Sequence, residues 1–153
     1  MTYSPTISFD VEGEGSHPEV LTTVRVAGCE VVMDYPEGRG GHGKGANPVQ
    51  TLVSSLVGCE HMVAVRIAKE TGLAIDRVTF KSSLTLDKAT LKAVPAGQCV
   101  TRVTLEATVY GDVTEEQVTE LGEKVHVCCP VAAIFRHLPG CEFEPVWTLA
   151  KAE

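Results

Sequence analysis

Residues 45–59 read Gly-Ala-Asn-Pro-Val-Gln-Thr-Leu-Val-Ser-Ser-Leu-Val-Gly-Cys, and this stretch carries the strongest indication of the fold. Asparagine is a favoured N-cap residue and proline is favoured at the first helical position, so Asn47-Pro48 predicts the start of a helix. Apolar residues continue at helical spacing to about Thr71, and Gly72 predicts the end of the helix. The helix carries two apolar lines, formed by Leu52, Leu56, Cys59, Val63 and Ile67 and by Val49, Val53, Val57 and Val65. So much apolar surface predicts a helix in the centre of the fold.

Strands are predicted on both sides of this helix. Before it, residues 20–26 alternate between apolar and polar faces, Ala27-Gly28 can turn the chain, and residues 31–33 resume a strand. After it, residues 77–87 and 102–109 alternate in the same way and are joined through residues 88–98. Such alternation predicts an antiparallel sheet with one face in water.

The remaining third of the chain predicts two helices and a last strand. Residues 114–117 fit a capping box, and the helix that they open carries an apolar stripe formed by Val118, Leu121, Val125 and Cys128. Cys129-Pro130 precedes a second, short helix from Val131 to His137, and residues 143–149 form a strand in which Pro145 indicates an edge or a bulge. The order of elements predicts the α+β class in a single domain, residues 1–153.

The composition limits the classes of function. The chain has 153 residues, of which 44% are hydrophobic and 22% charged, values typical of a folded globular protein. A net charge of −7 and an aromatic content of 5% disfavour binding to nucleic acid or to anionic lipid. The first residues lack the pattern of a secretory signal, and we expect no stretch apolar enough to span a membrane. We therefore expect a cytoplasmic protein.

Six cysteines are the unusual feature of the composition: Cys29, Cys59, Cys99, Cys128, Cys129 and Cys141. In a cytoplasmic protein they remain reduced unless they serve redox chemistry or bind a metal. Cys128 shares an apolar stripe and is interpreted as a core residue. Cys129 precedes Pro130 at a helix N-terminus, where a thiolate is stabilised, so local chemistry favours it as a reactive thiol.

Nucleotide binding and zinc binding are the two alternatives to thiol chemistry. Residues 38–43 match the pattern G-x-G-x-x-G, but the helix starts only after Asn47, so a nucleotide-binding loop is disfavoured. The loop is interpreted either as a flexible surface segment or as the carrier of Arg39. A zinc site formed by Cys59, Cys128, Cys129 and His126 is also disfavoured, because the chain lacks the paired C-x₂₋₄-C spacing of structural zinc sites. We expect neither a metal nor a cofactor.

Two segments resemble the OsmC/Ohr family, which comprises the osmotically induced and organic hydroperoxide resistance proteins. One is the Gly45–Leu52 segment followed by Leu56-Val57-Gly58-Cys59, and the other is Cys129-Pro130-Val131. The resemblance covers nearly the whole chain, since the order of elements also agrees. It implies an antiparallel sheet wrapped around a long central helix, in an intertwined homodimer whose sites lie at the subunit interface.

The resemblance also implies an activity, the reduction of organic hydroperoxides by a thiol peroxidase. Cys59 matches the cysteine that attacks the peroxide, Cys129 matches the cysteine that resolves it, and Arg39 matches the family's arginine in the loop before the long helix. The two thiols are then expected within disulfide reach. A dithiol of the lipoyl type is the implied reductant, and apolar neighbours favour organic hydroperoxides as substrates.

One position departs from the family's pattern. Peroxidase members carry a glutamate directly after Asn-Pro or one residue later, and here those positions hold Val49 and Gln50. A neutral Gln50 can donate or accept a hydrogen bond beside Arg39 but cannot form an ion pair with it. The alternative function is therefore an OsmC-like redox-responsive or small-ligand-binding protein without efficient peroxidase activity.

Overall fold

The computed structural model describes residues 6–15, 17–91 and 99–151. The chain forms two compact units, Met1–Thr51 and Leu52–Glu153. The single domain expected from the sequence stays a prediction. Part of the predicted connection between the two long strands, residues 92–98, lies outside the described residues.

The first unit is built on a small antiparallel sheet in the order β1-β2-β3, formed by β1 (Glu12–Gly15), β2 (Thr22–Val26) and β3 (Cys29–Met33). The predicted hairpin is confirmed, since β2 pairs with β3 across a two-residue turn at Ala27-Gly28. Both turn residues have positive φ, 49° and 79°, as the tightest hairpin turns require. β1 was not predicted, because its sequence Glu-Gly-Glu-Gly carries no apolar alternation.

The long helix α1 (Pro48–Thr71) begins and ends where the sequence predicts. Asn47 and Gln50 form a reciprocal cap: Gln50 N–H donates to Asn47 Oδ1 at 2.9 Å and Asn47 N–H donates to Gln50 Oε1 at 2.9 Å. Gly72, with φ 70°, ends the helix in the left-handed conformation.

The expectation that no stretch is apolar enough to span a membrane was wrong for α1. By length and composition this helix of 24 residues could cross a bilayer. Core helices meet the same criterion, and Leu56, Ala64 and Ile67 of α1 are packed into the apolar core of the second unit.

The second unit contains β4 (Ala74–Leu86), α2 (Lys88–Leu91), β5 (Val100–Asp112), α3 (Glu115–Cys128), α4 (Pro130–Arg136) and β6 (Glu142–Leu149). Its sheet has the order β4-β5-β6. The capping box predicted at Thr114 and Gln117 is confirmed at the start of α3. The mixed α+β class is also confirmed.

One part of the predicted sheet was wrong. β4 and β5 are antiparallel, but β5 and β6 are parallel, with Leu105 opposite Pro145. The cause is the connection between them: α3 and α4 carry the chain back along the sheet, so β6 enters from the same end as β5. Alternation within β5 and β6 reports which faces are buried and says nothing about strand direction.

The core of the second unit lies between its sheet and the helices. Val103, Leu105, Ala107 and Val109, which alternate along β5, are all at most 1% exposed, as their pattern predicts. Leu56 of α1 and Phe135 of α4 pack into the same cluster. Cys128 was wrongly placed on the buried stripe of α3, because it is exposed. α3 ends there, and the buried position after Val125 is taken by Cys129.

Two glycines inside α-helices, Gly58 and Gly122, provide a matched test of this packing. A Cβ on Gly122 of α3 would lie 2.7 Å from Cγ of Trp147, whereas a Cβ on Gly58 of α1 would meet nothing within 4 Å. We expect Gly122→Ala to lower the free energy of unfolding by about 1–3 kcal/mol through overpacking. Gly58→Ala should raise it by about 0.5–1 kcal/mol, because alanine favours the helix. Urea denaturation of both variants measures this, and a stable Gly122→Ala would contradict the packing of α3 against Trp147.

Candidate redox site

Two thiols that are 70 residues apart in sequence meet in the second unit. The Sγ atoms of Cys59 and Cys129 lie 2.9 Å apart, and Cys129 Sγ–H donates to Cys59 Sγ. Both are free thiols. Cys59 comes from the middle of α1 and is half-buried, while Cys129 is fully buried.

The break between α3 and α4 positions Cys129. Proline lacks an N–H and is tolerated at the first helical position, so Pro130 ends one helix and starts the next. Cys129 is the N-cap of α4, and its Sγ accepts a hydrogen bond from Ala132 N–H at 3.3 Å. Cys129, Ala132 and Phe135 share a core cluster with Leu56, which brings the start of α4 against α1.

Burial raises the pKa of the Cys129 thiol more than the helix N-terminus lowers it. The pKa of its thiol is raised to about 12, first by desolvation and then by the hydrogen bond to Cys59, while the Ala132 N–H acts in the opposite direction. The sequence-based expectation that Cys129 is activated by its local position was therefore wrong. The cap is present, but a thiol removed from water loses more stabilisation of its charged form than one backbone N–H restores.

An open cleft of about 550 Å³ leads to this thiol pair. Its walls belong to α1 and the start of α4, and they are Ser55, Gly58, Cys59, Met62, Val63, Arg66 and Pro130. Cys59 is therefore the thiol that faces the cleft, and Cys129 lies behind it. The walls are mainly apolar, and their charged residue is Arg66, whose guanidinium is paired with Glu70 at 3.3 Å.

Glu60 is a buried acid that the sequence analysis missed. It is fully buried in α1, next to Cys59, and neither of its carboxylate oxygens has a hydrogen-bond partner among the described residues. The pKa of Glu60 is raised to about 7 by desolvation, against the opposing effects of Trp147 and Arg136. Its position could have been found from spacing, because Leu56, Glu60 and Ala64 follow at intervals of four residues on one buried line.

Arg39 and Gln50 belong to the first unit. Arg39 is exposed and ends a short 3₁₀-helix, Glu37–Arg39. The Gln50 side chain caps Asn47. The structure brings Cys59 and Cys129 together, and the position of Arg39 and Gln50 relative to these thiols stays a prediction.

The loop that carries Arg39 closes around Asp34. This buried carboxylate accepts hydrogen bonds from the backbone N–H groups of Tyr35 at 2.7 Å, His42 at 2.9 Å and Lys44 at 3.1 Å. Desolvation acts to raise the pKa of Asp34, but these three bonds together lower it. A Cβ on Gly41 would lie 1.9 Å from Tyr35 O, so the turn requires glycine there. Backbone N–H groups on both sides of residues 38–41 thus bind one carboxylate, and the flexibility of residues 38–43 stays a prediction.

The other four cysteines are also free thiols. Cys29 and Cys128 are exposed, and Cys99 and Cys141 are half-buried. Within residues 6–15, 17–91 and 99–151, no three His, Cys, Asp or Glu side chains are placed to hold a metal ion. Cys59, Cys128, Cys129 and His126 therefore do not form a zinc site among the described residues.

Comparison with known families shows the family to which this chain belongs. The family model for OsmC-like protein matches residues 41–144, which include the whole of α1, both thiols and the first three residues of β6. The chain belongs to the OsmC-like protein family. No curated protein matches the sequence.

Solved structures show the same fold as this OsmC-like protein. An OsmC-like protein from Mycoplasma pneumoniae is 16% identical, with a TM-score of 0.82 over 95% of this chain and 99% of that one. An organic hydroperoxide resistance protein OsmC from Legionella pneumophila is 15% identical, with a TM-score of 0.64 over 94% and 99%. An organic hydroperoxide resistance protein from Elizabethkingia anophelis is 20% identical, with a TM-score of 0.69 over 94% and 99%. At these identities the likeness establishes the fold.

The buried acid makes the stability of this OsmC-like protein depend on pH. The pKa of Glu60 is raised from 4.5 to about 7 in the folded state, so folding favours its protonated form. That contribution is present below about pH 4.5 and is lost as the pH rises through about 7. We expect Glu60→Gln, which stays neutral, to gain about 1–3 kcal/mol in free energy of unfolding relative to the wild type between pH 5 and pH 8. Urea denaturation at both values measures this, and an equal difference at both would contradict the raised pKa.

Proposed function

We propose that this OsmC-like protein is a thiol-dependent peroxidase that reduces organic hydroperoxides, with Cys59 as the peroxidatic and Cys129 as the resolving cysteine. The observation that carries the proposal is the 2.9 Å contact between their Sγ atoms. A disulfide between them requires only a small approach of the two sulfurs. The structural neighbours that are organic hydroperoxide resistance proteins support the same substrate class.

In the first step, the Cys59 thiolate attacks one oxygen of the hydroperoxide. The S–O bond forms as the O–O bond breaks, so the sulfur is oxidised to a sulfenic acid and the peroxide is reduced. The alkoxide leaves and takes a proton to become an alcohol. The position of Cys59 in the cleft supports its role as the attacking thiol, and apolar walls such as Met62 and Val63 support organic hydroperoxides as the substrates.

In the second step, Cys129 attacks the Cys59 sulfur. The S–S bond forms as the S–O bond breaks, hydroxide leaves as water, and the disulfide protects the sulfenic acid from further oxidation. A dithiol of the lipoyl type then reduces the disulfide by exchange, and becomes a disulfide itself. Burial of Cys129 behind Cys59 supports this order, because a hydroperoxide in the cleft meets Cys59 first.

Arg39 is proposed as the cation that stabilises the Cys59 thiolate. A guanidinium remains charged and offers several donors, both to sulfur and to a peroxide oxygen. The loop around Asp34 supports this role, since backbone N–H groups on both sides of Arg39 bind that carboxylate. Gln50 is proposed as a supporting residue through its cap on Asn47.

We also propose a homodimer and a cytoplasmic location. Leu52 is 40% exposed, Met62 73% and Val65 38%, and all three lie on α1. Exposed apolar side chains along one helix are typical of a surface that is covered by another protein chain. A second copy of this chain is the proposed cover, as the family resemblance implies.

A second function is favoured by one observation. Among the described residues Arg39 has no ion pair with a carboxylate, and a neutral glutamine caps α1 where peroxidase members carry an acid. A redox-responsive or small-ligand-binding protein would use the thiol pair but would not need to turn over peroxide quickly. The two functions differ in rate, so a turnover measurement separates them.

Consumption of cumene hydroperoxide with a dithiol reductant tests the proposed function. We expect Cys59→Ser to abolish turnover, because the nucleophile is lost. Cys129→Ser should stop turnover after one equivalent of peroxide, and the sulfenic acid on Cys59 should become trappable by dimedone. The matched control is Cys128→Ser, the exposed neighbour of Cys129, which should turn over normally, as should Ser variants of Cys29, Cys99 and Cys141. Normal turnover in Cys129→Ser would exclude the resolving role.

Arg39 and Gln50 are tested by the alkylation rate of Cys59 together with turnover. We expect Arg39→Ala to slow both by about tenfold or more, since each 1.4 kcal/mol of lost charge stabilisation reduces the thiolate fraction about tenfold. Gln50→Glu preserves an oxygen acceptor for Asn47 N–H and adds the acid found in relatives, so it should raise turnover. Unchanged alkylation and turnover in Arg39→Ala would reduce Arg39 to a loop residue, and lower turnover in Gln50→Glu would show that the new charge acts on Cys59.

A further inference from the structure

Cys129 is enclosed in the protein, and its thiol is difficult to ionise. Its side chain is fully buried, and the pKa of the thiol is raised to about 12. A thiol attacks as the thiolate, so resolution of a sulfenic acid requires the Cys129 proton to leave. Once Cys59 is oxidised, it carries a sulfenic acid and no longer holds a thiolate that can receive that proton. A base inside the protein can take that proton as the sulfur attacks.

Glu60 is a buried acid whose charge acts on that thiol. It is among the causes that raise the pKa of Cys129, so the two groups interact through the protein interior. Two negative charges in one desolvated site are unfavourable, and the lowest-energy route therefore couples ionisation of Cys129 to protonation of Glu60. Glu60 follows Cys59 directly in α1, and the Sγ atom of Cys59 lies 2.9 Å from that of Cys129.

The surroundings of Glu60 leave its carboxylate available. Buried carboxylates normally accept hydrogen bonds, yet both Glu60 oxygens have none among the described residues. The Trp147 Nε1–H of β6 faces the carboxylate without completing a hydrogen bond to it. No such bond has to break when the side chain turns toward a sulfur atom, and hydrogen bonds of catalytic groups often tighten only in the reacting state.

The charged and titratable groups around Glu60 support a pKa near neutrality. Arg136 of α4 favours the carboxylate, and it is fixed by an Nη1–H bond to His126 O at 2.5 Å. Cys59 and Cys129 are the titratable thiols of the site, and the side chains of β4 and β5 in the surrounding core are apolar. With burial as the largest cause, the pKa of Glu60 is about 7, so both of its forms are populated at neutral pH.

We propose that Glu60 is the proton acceptor for Cys129 in the resolving step. The Cys129 S–H bond breaks as its proton moves to the Glu60 carboxylate, and the sulfur attacks the Cys59 sulfenic acid. The S–S bond forms, the S–O bond breaks, and the leaving hydroxide takes the proton from Glu60 as water. Glu60 is regenerated as a carboxylate and no electrons pass through it. The inference rests on the proposed function for its place in the catalytic cycle.

The test measures the attack of Cys129 on Cys59 without any peroxide. In a background with Ser at positions 29, 99, 128 and 141, the reagent DTNB converts Cys59, which borders the cleft, to a mixed disulfide and releases one aromatic thiolate. Attack by Cys129 then releases a second thiolate, whose rate is read by absorbance. We expect Glu60→Gln to slow the second release by about tenfold or more, with the first release unchanged, because general bases contribute a hundredfold or more. A smaller effect on the second release would overturn the inference.

The pH dependence separates proton transfer from a structural role. The carboxylate form accepts the proton, so in the wild type the second release should accelerate as the pH rises through about 7 and then level off. Glu60→Gln should lose this transition, and Glu60→Asp, which keeps a carboxylate, should retain it at a lower rate. A wild-type profile without a transition between pH 6 and pH 8 would overturn the inference even where Glu60→Gln fails to fold.

The outcomes of the two sets of experiments are distinguishable. If the wild type forms its disulfide from the mixed disulfide but does not consume cumene hydroperoxide, the peroxidase proposal fails and the role of Glu60 stands. If peroxide turnover is normal and Glu60→Gln keeps the wild-type second release and pH profile, the role of Glu60 fails and the peroxidase proposal stands.

Discussion

The packing of α1 and α4 onto the second sheet is the constraint on which the redox site depends. Leu56 of α1 and Phe135 of α4 fill the same apolar cluster as Leu105 and Ala107 of β5. This shared contact surface brings Cys59 and Cys129 together, although the residues around either cysteine in the sequence do not predict the contact. The thiol contact is thus a consequence of hydrophobic burial, and it needs no metal or disulfide to hold it in the reduced protein.

The same packing gives the two thiols different chemistry. Cys59 borders the cleft, whereas Cys129 is enclosed and has a strongly raised pKa. A buried thiol resists ionisation and reagents, so the two sulfurs cannot exchange their proposed roles. Glu60 extends this asymmetry, because it is an acid retained in the apolar layer directly beside the cleft-facing cysteine, where burial without hydrogen bonds reduces the stability of the folded chain.

Local features could be predicted from the sequence because local chemistry determines them. The bounds of α1 follow from Asn47-Pro48 and Gly72, and the faces of β5 follow from alternation. The parallel direction of β6 could not be predicted in this way, since it depends on how α3 and α4 return the chain. The raised pKa of Cys129 was missed for a related reason: a helix start is visible in sequence, but the burial that opposes it is tertiary. The family motifs indicated the cysteine pair, whereas Glu60 lies outside those motifs, and in the sequence only its spacing with Leu56 and Ala64 indicates that it is buried.

The position of β6 has a consequence for following the folding of this chain. Its residues pair with β5 partners about 40 positions away, as in Leu105 and Pro145, so this pairing closes a long loop and is expected to form late. Trp147, the one tryptophan in the sequence, lies on that strand and packs edge-on against Phe80 at 5.8 Å between ring centroids. Intrinsic fluorescence of the wild-type protein therefore reports the docking of the last strand, separately from helix formation seen by circular dichroism. A delay between the two signals would give the time that the sheet needs to be completed after its helices have formed.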